Sequence, residues 1–210
     1  MQINSQRRRR LRRKLVEEKL DALLVTNPLN VFYLTGFSGG SSFLLLTRKR
    51  AVLISDTRFT IQIAEECPGL ETAIRGHNRT TWQEAASVID KFQLSSVAVE
   101  AQHLSVAALD LLNDLTTATE FVPRSGFVES LRVIKDATEV AAIREAIGYG
   151  QRALAMLQAM LTPTDTEKEM ADALDGYIRR AGGHGTGFET IAAIGDRTAL
   201  PHAPPSSRRL

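Results

Sequence analysis

Short apolar runs recur through the first half of the chain, each closed by polar residues. Ala22-Leu23-Leu24-Val25-Thr26 stops at Asn27-Pro28, and Ser42-Phe43-Leu44-Leu45-Leu46-Thr47, Ala51-Val52-Leu53-Ile54 and Ser96-Val97-Ala98-Val99-Glu100 repeat the form. Continuous apolar stretches of this length predict strands buried on both faces. The intervals carry apolar residues at helical spacing: Phe59 to Cys67, Thr81 to Phe92 with Trp82, Ala85, Val88 and Ile89 on one face, and Ser105 to Leu115. Strands alternating with helices predict a layered α/β domain. The polar link Thr47-Arg48-Lys49-Arg50 reads as a tight turn, so the two runs it joins form an expected hairpin and the sheet is mixed.

The pattern changes at Val122-Pro123-Arg124-Ser125-Gly126, read as a linker between a domain over residues 1–124 and a second over 125–210. From Val128 onward, Leu131, Ile134, Val140, Ile143, Ala146 and Ile147 share one helical face, continued by Ala153, Leu154 and Leu157. One long helix is expected, with Gly148 or Gly150 as the place where it would break. Thr162-Pro163-Thr164-Asp165-Thr166-Glu167 carries a helix-start signal, followed by Met170, Ala173, Leu174 and Ile178 and a stop at Gly182-Gly183. Phe188 to Ile194 reads as a strand, so the second domain opens helix, helix, strand.

At 43% hydrophobic residues the chain can bury a core, yet no apolar run approaches the roughly 20 residues needed to span a bilayer. The basic N-terminus has no apolar signal core behind it, which predicts a cytoplasmic protein without a membrane partner. Net charge is +2, but Arg7 to Lys14 holds seven basic residues in eight. Removing those seven charges leaves the other residues at −5. The cluster invites a nucleic-acid reading. It continues into Leu15, Val16, Leu20, Leu23 and Leu24 at helical spacing, however, and so fits the solvated face of a first helix ending near Asp21. No nucleic-acid partner is expected, because basic residues confined to one terminus do not make a binding surface.

The single cysteine, Cys67, excludes an internal disulfide and reads as a packing or surface thiol. Gly36-Phe37-Ser38-Gly39-Gly40 lacks the spacing of a dinucleotide-binding loop and opens onto a strand, which leaves a flexible turn.

Four separated segments resemble, in order, the metallopeptidases that cleave at proline, the Xaa-Pro aminopeptidases and Xaa-Pro dipeptidases (prolidases). They are Asn30-Val31-Phe32-Tyr33-Leu34-Thr35-Gly36-Phe37, Ser55-Asp56-Thr57-Arg58-Phe59-Thr60, Leu131-Arg132-Val133-Ile134-Lys135-Asp136 with Glu139, Ile143 and Arg144, and the run from Phe188 to Pro201-His202. The resemblance implies a creatinase-like, mixed-sheet α/β N-terminal domain followed by the first helices and strand of an α+β "pita-bread" catalytic domain. It implies two divalent metal ions (Mn, Co or Zn) held by two Asp, one His and two Glu, a set that acidifies a bridging water and polarises the scissile carbonyl. None of those ligands matches a residue of this chain, so no metal is expected to bind it, and the piece is expected to be inactive alone. His202 matches a histidine that hydrogen-bonds near the scissile bond, with Phe188 as a weaker substrate contact; taken alone, a His after Pro in a loop reads as surface. Ala203 stands where a glycine commonly follows. The resemblance also implies proline-containing peptides or dipeptides as substrates and a homodimer, with the Gly36 to Ser41 loop best placed to reach a partner. A non-catalytic interaction or dimerisation module is the competing reading.

The other polar candidates read as structural. His184, in Gly182-Gly183-His184-Gly185, is a surface residue with a substrate-pocket role as the alternative; His77 and His103 show no metal spacing. Asp56 and Arg58 read as a buried pair that fixes a strand-to-helix turn.

Overall fold

In a computed structural model that describes residues 2–210, all four apolar runs are strands. They are β1 (Ala22–Val25), β2 (Phe43–Thr47), β3 (Ala51–Asp56) and β5 (Ser96–Glu100), joined by two edge strands, β4 (Glu71–Arg75) and β6 (Glu120–Arg124). The order across the sheet is β4-β3-β2-β1-β5-β6. β1–β2 and β2–β3 are antiparallel, while β3–β4, β1–β5 and β5–β6 are parallel, so the sheet is mixed and Thr47–Arg50 does close a hairpin. Neither edge strand carries an apolar run. Pro123 has no N–H to offer a ladder and is tolerated in β6 because that strand lies at the edge. The stretch read as a linker is therefore partly the last strand of the sheet.

Successive side chains leave a strand on opposite faces, which divides the central strands between two cores. Leu23, Val25, Leu44, Leu46 and Leu53 pack with Leu11 and Leu15 of α1 (Gln2–Glu17), Val31 and Leu34 of α2 (Pro28–Thr35) and Ile63 of α3 (Thr60–Glu66). Ala22, Leu24, Leu45, Val52 and Ile54 pack with Ala85, Val88 and Ile89 of α4 (Thr81–Lys91) and Leu112 of α5 (Val106–Leu115). Each such fully buried leucine contributes about 1.5–3 kcal/mol over an exposed one.

α2 is a helix the periodicity did not mark. Its ends specify it instead: Asn27 accepts from Leu29 N, Pro28 takes the first helical position, and Gly36, at φ 84°, turns the chain out while its N–H reaches Phe32 O. α1 stops at Glu17 rather than near Asp21, because Leu23 and Leu24 belong to β1. Nor is its basic cluster only a solvated face. Arg7 Nη1 donates to Tyr33 O at 3.0 Å, Arg8 Nη1 to Leu34 O at 2.6 Å, Arg12 Nε to Thr47 O at 3.2 Å and Lys14 Nζ to Phe127 O at 3.2 Å. Two of those carbonyls lie in the last turn of α2, where no intrahelical donor remains. Arg9, Arg10 and Arg13 are exposed.

The chain divides into compact units after Ile134, ten residues beyond the expected boundary at 124. Phe127 and Val128 are buried in the first core, and Leu131 of α6 (Glu129–Arg132) packs against it. Since both cores close within this unit, a piece covering residues 1–134 is expected to melt cooperatively by circular dichroism, and one ending at Arg124 to melt at lower temperature for want of Phe127 and Val128. A non-cooperative melt of the longer piece would defeat the claim.

In the second unit α7 (Ala137–Met160) runs unbroken through Gly148 and Gly150. A glycine costs a helix interior only about 1 kcal/mol, too little to interrupt a long helix. The break falls earlier, before Asp136, which starts α7 by a reciprocal capping box with Glu139. α8 (Glu167–Arg180) packs on α7 and begins with the same device at Thr166 and Glu169. The expected strand over Phe188 to Ile194 is not formed: among the described residues it has no ladder partner, and Ile194 N donates to the Glu167 carboxylate at 2.8 Å instead.

Candidate functional site

The segment with His202 lies across the start of α8. A helix N-terminus leaves its first N–H groups without intrahelical acceptors. Here Glu167 N donates to Arg208 O at 2.9 Å and Lys168 N to Ser206 O at 3.0 Å. Glu167 itself is fully buried and accepts from Ile194 N, from Arg197 Nε at 3.0 and 3.1 Å, and from Ser206 N and Oγ at 2.9 and 2.6 Å. Its carboxyl is lowered to about 2, first by the Ser206 hydroxyl, then by the Ile194 and Ser206 amides and by Arg197, against the opposing effect of burial.

Between Arg197 and Ser206 the chain makes a turn in which Ala203 N donates to Leu200 O at 3.4 Å, placing Pro201 and His202 at the corner. Ala203 is 2% exposed. The described non-glycine residues with positive φ are Lys19, Ser41 and Gln93, so alanine in place of glycine brings no backbone strain here. His202 is exposed, and Phe188 is 77% exposed. Among the described residues neither side chain has a hydrogen-bond or ring partner, and His184, His77 and His103 are exposed as well.

In the first unit, Asp56 and Arg58 line a cavity of about 690 Å³ together with Arg75, His77, Arg79 and Trp82. Arg58 grips Asp56 through Nε–Oδ1 at 2.9 Å and Nη2–Oδ2 at 2.7 Å, and Arg75 Nη2 adds a contact at 3.3 Å. Only the acid is buried: Asp56 is 3% exposed and Arg58 67%. Arg58 is the main cause of an Asp56 pKa of about 2, so the carboxylate stays ionised at neutral pH and has no proton to give. It accepts from Arg58 N to start the 3-10 turn Thr57–Phe59, a structural role. Cys67 is a packing thiol, with Sγ against Thr35 O and its pKa raised by burial.

Both depressed carboxyls carry the same pH consequence. A folded pKa below the ordinary value stabilises above that value and is lost as pH falls through the folded one. Asp56 starts from 3.8 and Glu167 from 4.5, one in each unit, so melting temperature should hold from neutral pH to about 4.5 and fall between there and about 2. Asp56→Asn should flatten that fall for the first unit; a flat profile in the unaltered chain would show that neither pairing matters.

The first unit is a mixed α/β domain and the second begins with two packed helices, an order that matches two family models in turn. The creatinase/prolidase N-terminal domain profile matches residues 7–134 and that of metallopeptidase family M24 matches residues 141–210. The chain belongs to the creatinase/prolidase family. It is similar to an Xaa-Pro dipeptidase from Bacillus anthracis, with TM-score 0.92 and 28% identity over 99% of this chain and 57% of that one. It is also similar to an X-Pro aminopeptidase from Thermotoga maritima, with TM-score 0.84 and 26% identity over 91% and 55%. An uncharacterized peptidase of Bacillus subtilis, YqhT, is 28% identical over 90% of this chain and 53% of its own length. The chain thus spans about half the length of the curated relatives it matches.

Family M24 implies divalent metal. Among the described residues no group of three or more His, Cys, Asp or Glu comes together to hold an ion, so the residues present do not fit a metal centre. No helix among them is long and apolar enough to cross a membrane.

Sequence reasoning missed the Glu167 clamp and a buried network around Glu100. Thr26 N and Asn27 N donate to Glu100 Oε2 at 2.6 and 2.8 Å, and Asn30 Nδ2 to Glu100 Oε1 at 2.6 Å. Asn30 also donates to Glu129 Oε1 at 2.6 Å and accepts from Arg132 Nη1 at 2.9 Å. The available signal was positional: Asn30 and Arg132 both sit in segments that carry the family resemblance.

Proposed function

We propose that this chain is the N-terminal portion of a proline-specific metallopeptidase of the cytoplasm, a homodimer acting on proline-containing peptides or dipeptides, and that the portion is inactive alone. The carrying observation is similarity to an Xaa-Pro dipeptidase over 99% of the chain, with the Pro-His step presented at an exposed turn. In hydrolysis of an Xaa-Pro bond, water adds to the carbonyl carbon, the C–N bond breaks, and the proline nitrogen leaves with a proton. Negative charge gathers on the carbonyl oxygen, where a fixed donor lowers the barrier. His202 supplies that donor and Phe188 an apolar contact for the peptide. The two metal ions, Mn, Co or Zn, take their ligands from residues outside this chain.

Association is supported by the apolar side chains α7 leaves open, Ile143 at 48%, Ile147 at 54%, Leu154 at 49% and Met160 at 65% exposure. The same exposure favours a second reading, a non-catalytic interaction module. Proline release separates the two. With Mn, Co or Zn, the longer protein containing this chain should cleave an Xaa-Pro dipeptide or a peptide with proline second, and not the alanine counterparts. The 210-residue chain should cleave neither. No turnover by the longer protein leaves the module; turnover by the short chain overturns its inactivity.

A further inference from the structure

We propose that Glu167 is the positioning residue for His202: its buried carboxylate ties down both flanks of the turn that presents the imidazole. The proposal rests on the reading of His202 as a substrate contact. On the near flank, Ile194 N and Arg197 Nε end on Glu167, and Arg197 Nη2 reaches across to Pro204 O at 2.7 Å. On the far flank, Ser206 N and Oγ end on the same carboxylate. Pro201 and His202 therefore sit in a loop whose two ends meet at one side chain. Gly195, at φ 62°, begins the 3-10 turn Gly195–Ala199 that brings Arg197 back to the acid. An Arg208–Asp196 ion pair and the backbone bonds from α8 to Ser206 and Arg208 reinforce the base of the loop.

The arrangement is more than helix capping. Capping of α8 is done by Thr166 and Glu169, whose reciprocal box leaves Glu167 free to turn its carboxylate toward the loop. Glutamate suits the task because two oxygens accept from a guanidinium and several amides together, and charge-assisted bonds are short and strong. Glutamine keeps one acceptor oxygen but sets an NH2 group against donors, so it should hold the loop only in part.

The test uses Glu167→Ala and Glu167→Gln in the 210-residue chain, read by hydrogen-exchange mass spectrometry and by the NMR signals of the His202 ring. Amides of residues 194–206 are expected to exchange about 10-fold faster or more in the alanine variant, with α8 beyond its first turn and the first unit unchanged and glutamine in between. The His202 ring signals should move toward those of an unstructured histidine. In the longer peptidase, Glu167→Ala should lower kcat about 10-fold or more at unchanged KM and metal content, because a misplaced contact group loses its alignment. Unchanged exchange and ring signals overturn the proposal. So does loosening of the whole of α8, which makes Glu167 a stability residue only, and so does a loosened loop with wild-type kcat while His202→Ala is impaired. A catalytically silent His202→Ala tells instead against the peptidase role of His202, whatever the exchange data show.

Discussion

In the proposed longer peptidase, His202→Ala is expected to lower kcat about 10²- to 10³-fold while metal content stays at the wild-type level. A single donor aimed at the oxygen where charge develops supplies a contribution of that size. The structure makes the experiment readable, because the imidazole is exposed and has no hydrogen-bond or ring partner among the described residues. Its removal should shift stability by no more than about 0.5 kcal/mol, so lost turnover cannot be traced to unfolding. His202→Asn, which keeps an N–H donor on a shorter arm, should recover part of the rate. Metal analysis beside kcat and KM separates the outcomes. Lost metal would make His202 a ligand, and unchanged turnover would make the Pro201-His202 turn only a surface loop.

Legibility followed burial. Strands covered on both faces, such as Leu44 to Leu46 and Val97 to Val99, announce themselves as continuous apolar runs, since water reaches neither side. The hairpin turn, the starts of α4 and α8 and the mixed sheet follow from local chemistry that the sequence displays. β4 was hidden because Glu71 and Thr72 face solvent, and β6 because Pro123 signals a break that an edge strand tolerates. The strand expected over Phe188 to Ile194 has the right residue types but no ladder partner among the described residues, and residue preference cannot supply one. Most of the candidate site was out of reach for a related reason. His202 is recognisable from the motif around it, whereas Glu167 reads as one more acid in the first turn of a helix. Its meaning comes from Arg197 and Ser206, brought to it by a fold-back of 30 and 39 positions that no local pattern records.

The Glu100 network is a stronger case of the same kind, and it yields the largest stability effect expected in the first unit. Glu100→Ala should cost about 3–5 kcal/mol, because it leaves buried donors without their acceptor. Thr26 N and Asn27 N lie where β1 hands over to α2, and both end on one oxygen at the last residue of β5. Asn30 divides its amide hydrogens between Glu100 and Glu129 and gives its oxygen to Arg132, so its hydrogen-bonding capacity is matched on three sides. That chain of contacts joins two segments about a hundred positions apart, the Asn30 and Arg132 runs. Glu100→Gln should cost less than alanine, since one oxygen can still serve Thr26 and Asn27, but more than a surface change, since its NH2 then faces the donor amide of Asn30. Chemical denaturation of the residue 1–134 piece at neutral pH measures the series directly. A loss below about 1 kcal/mol for alanine would mean that water enters and replaces the carboxylate, and the network would then be a consequence of the fold rather than one of its supports.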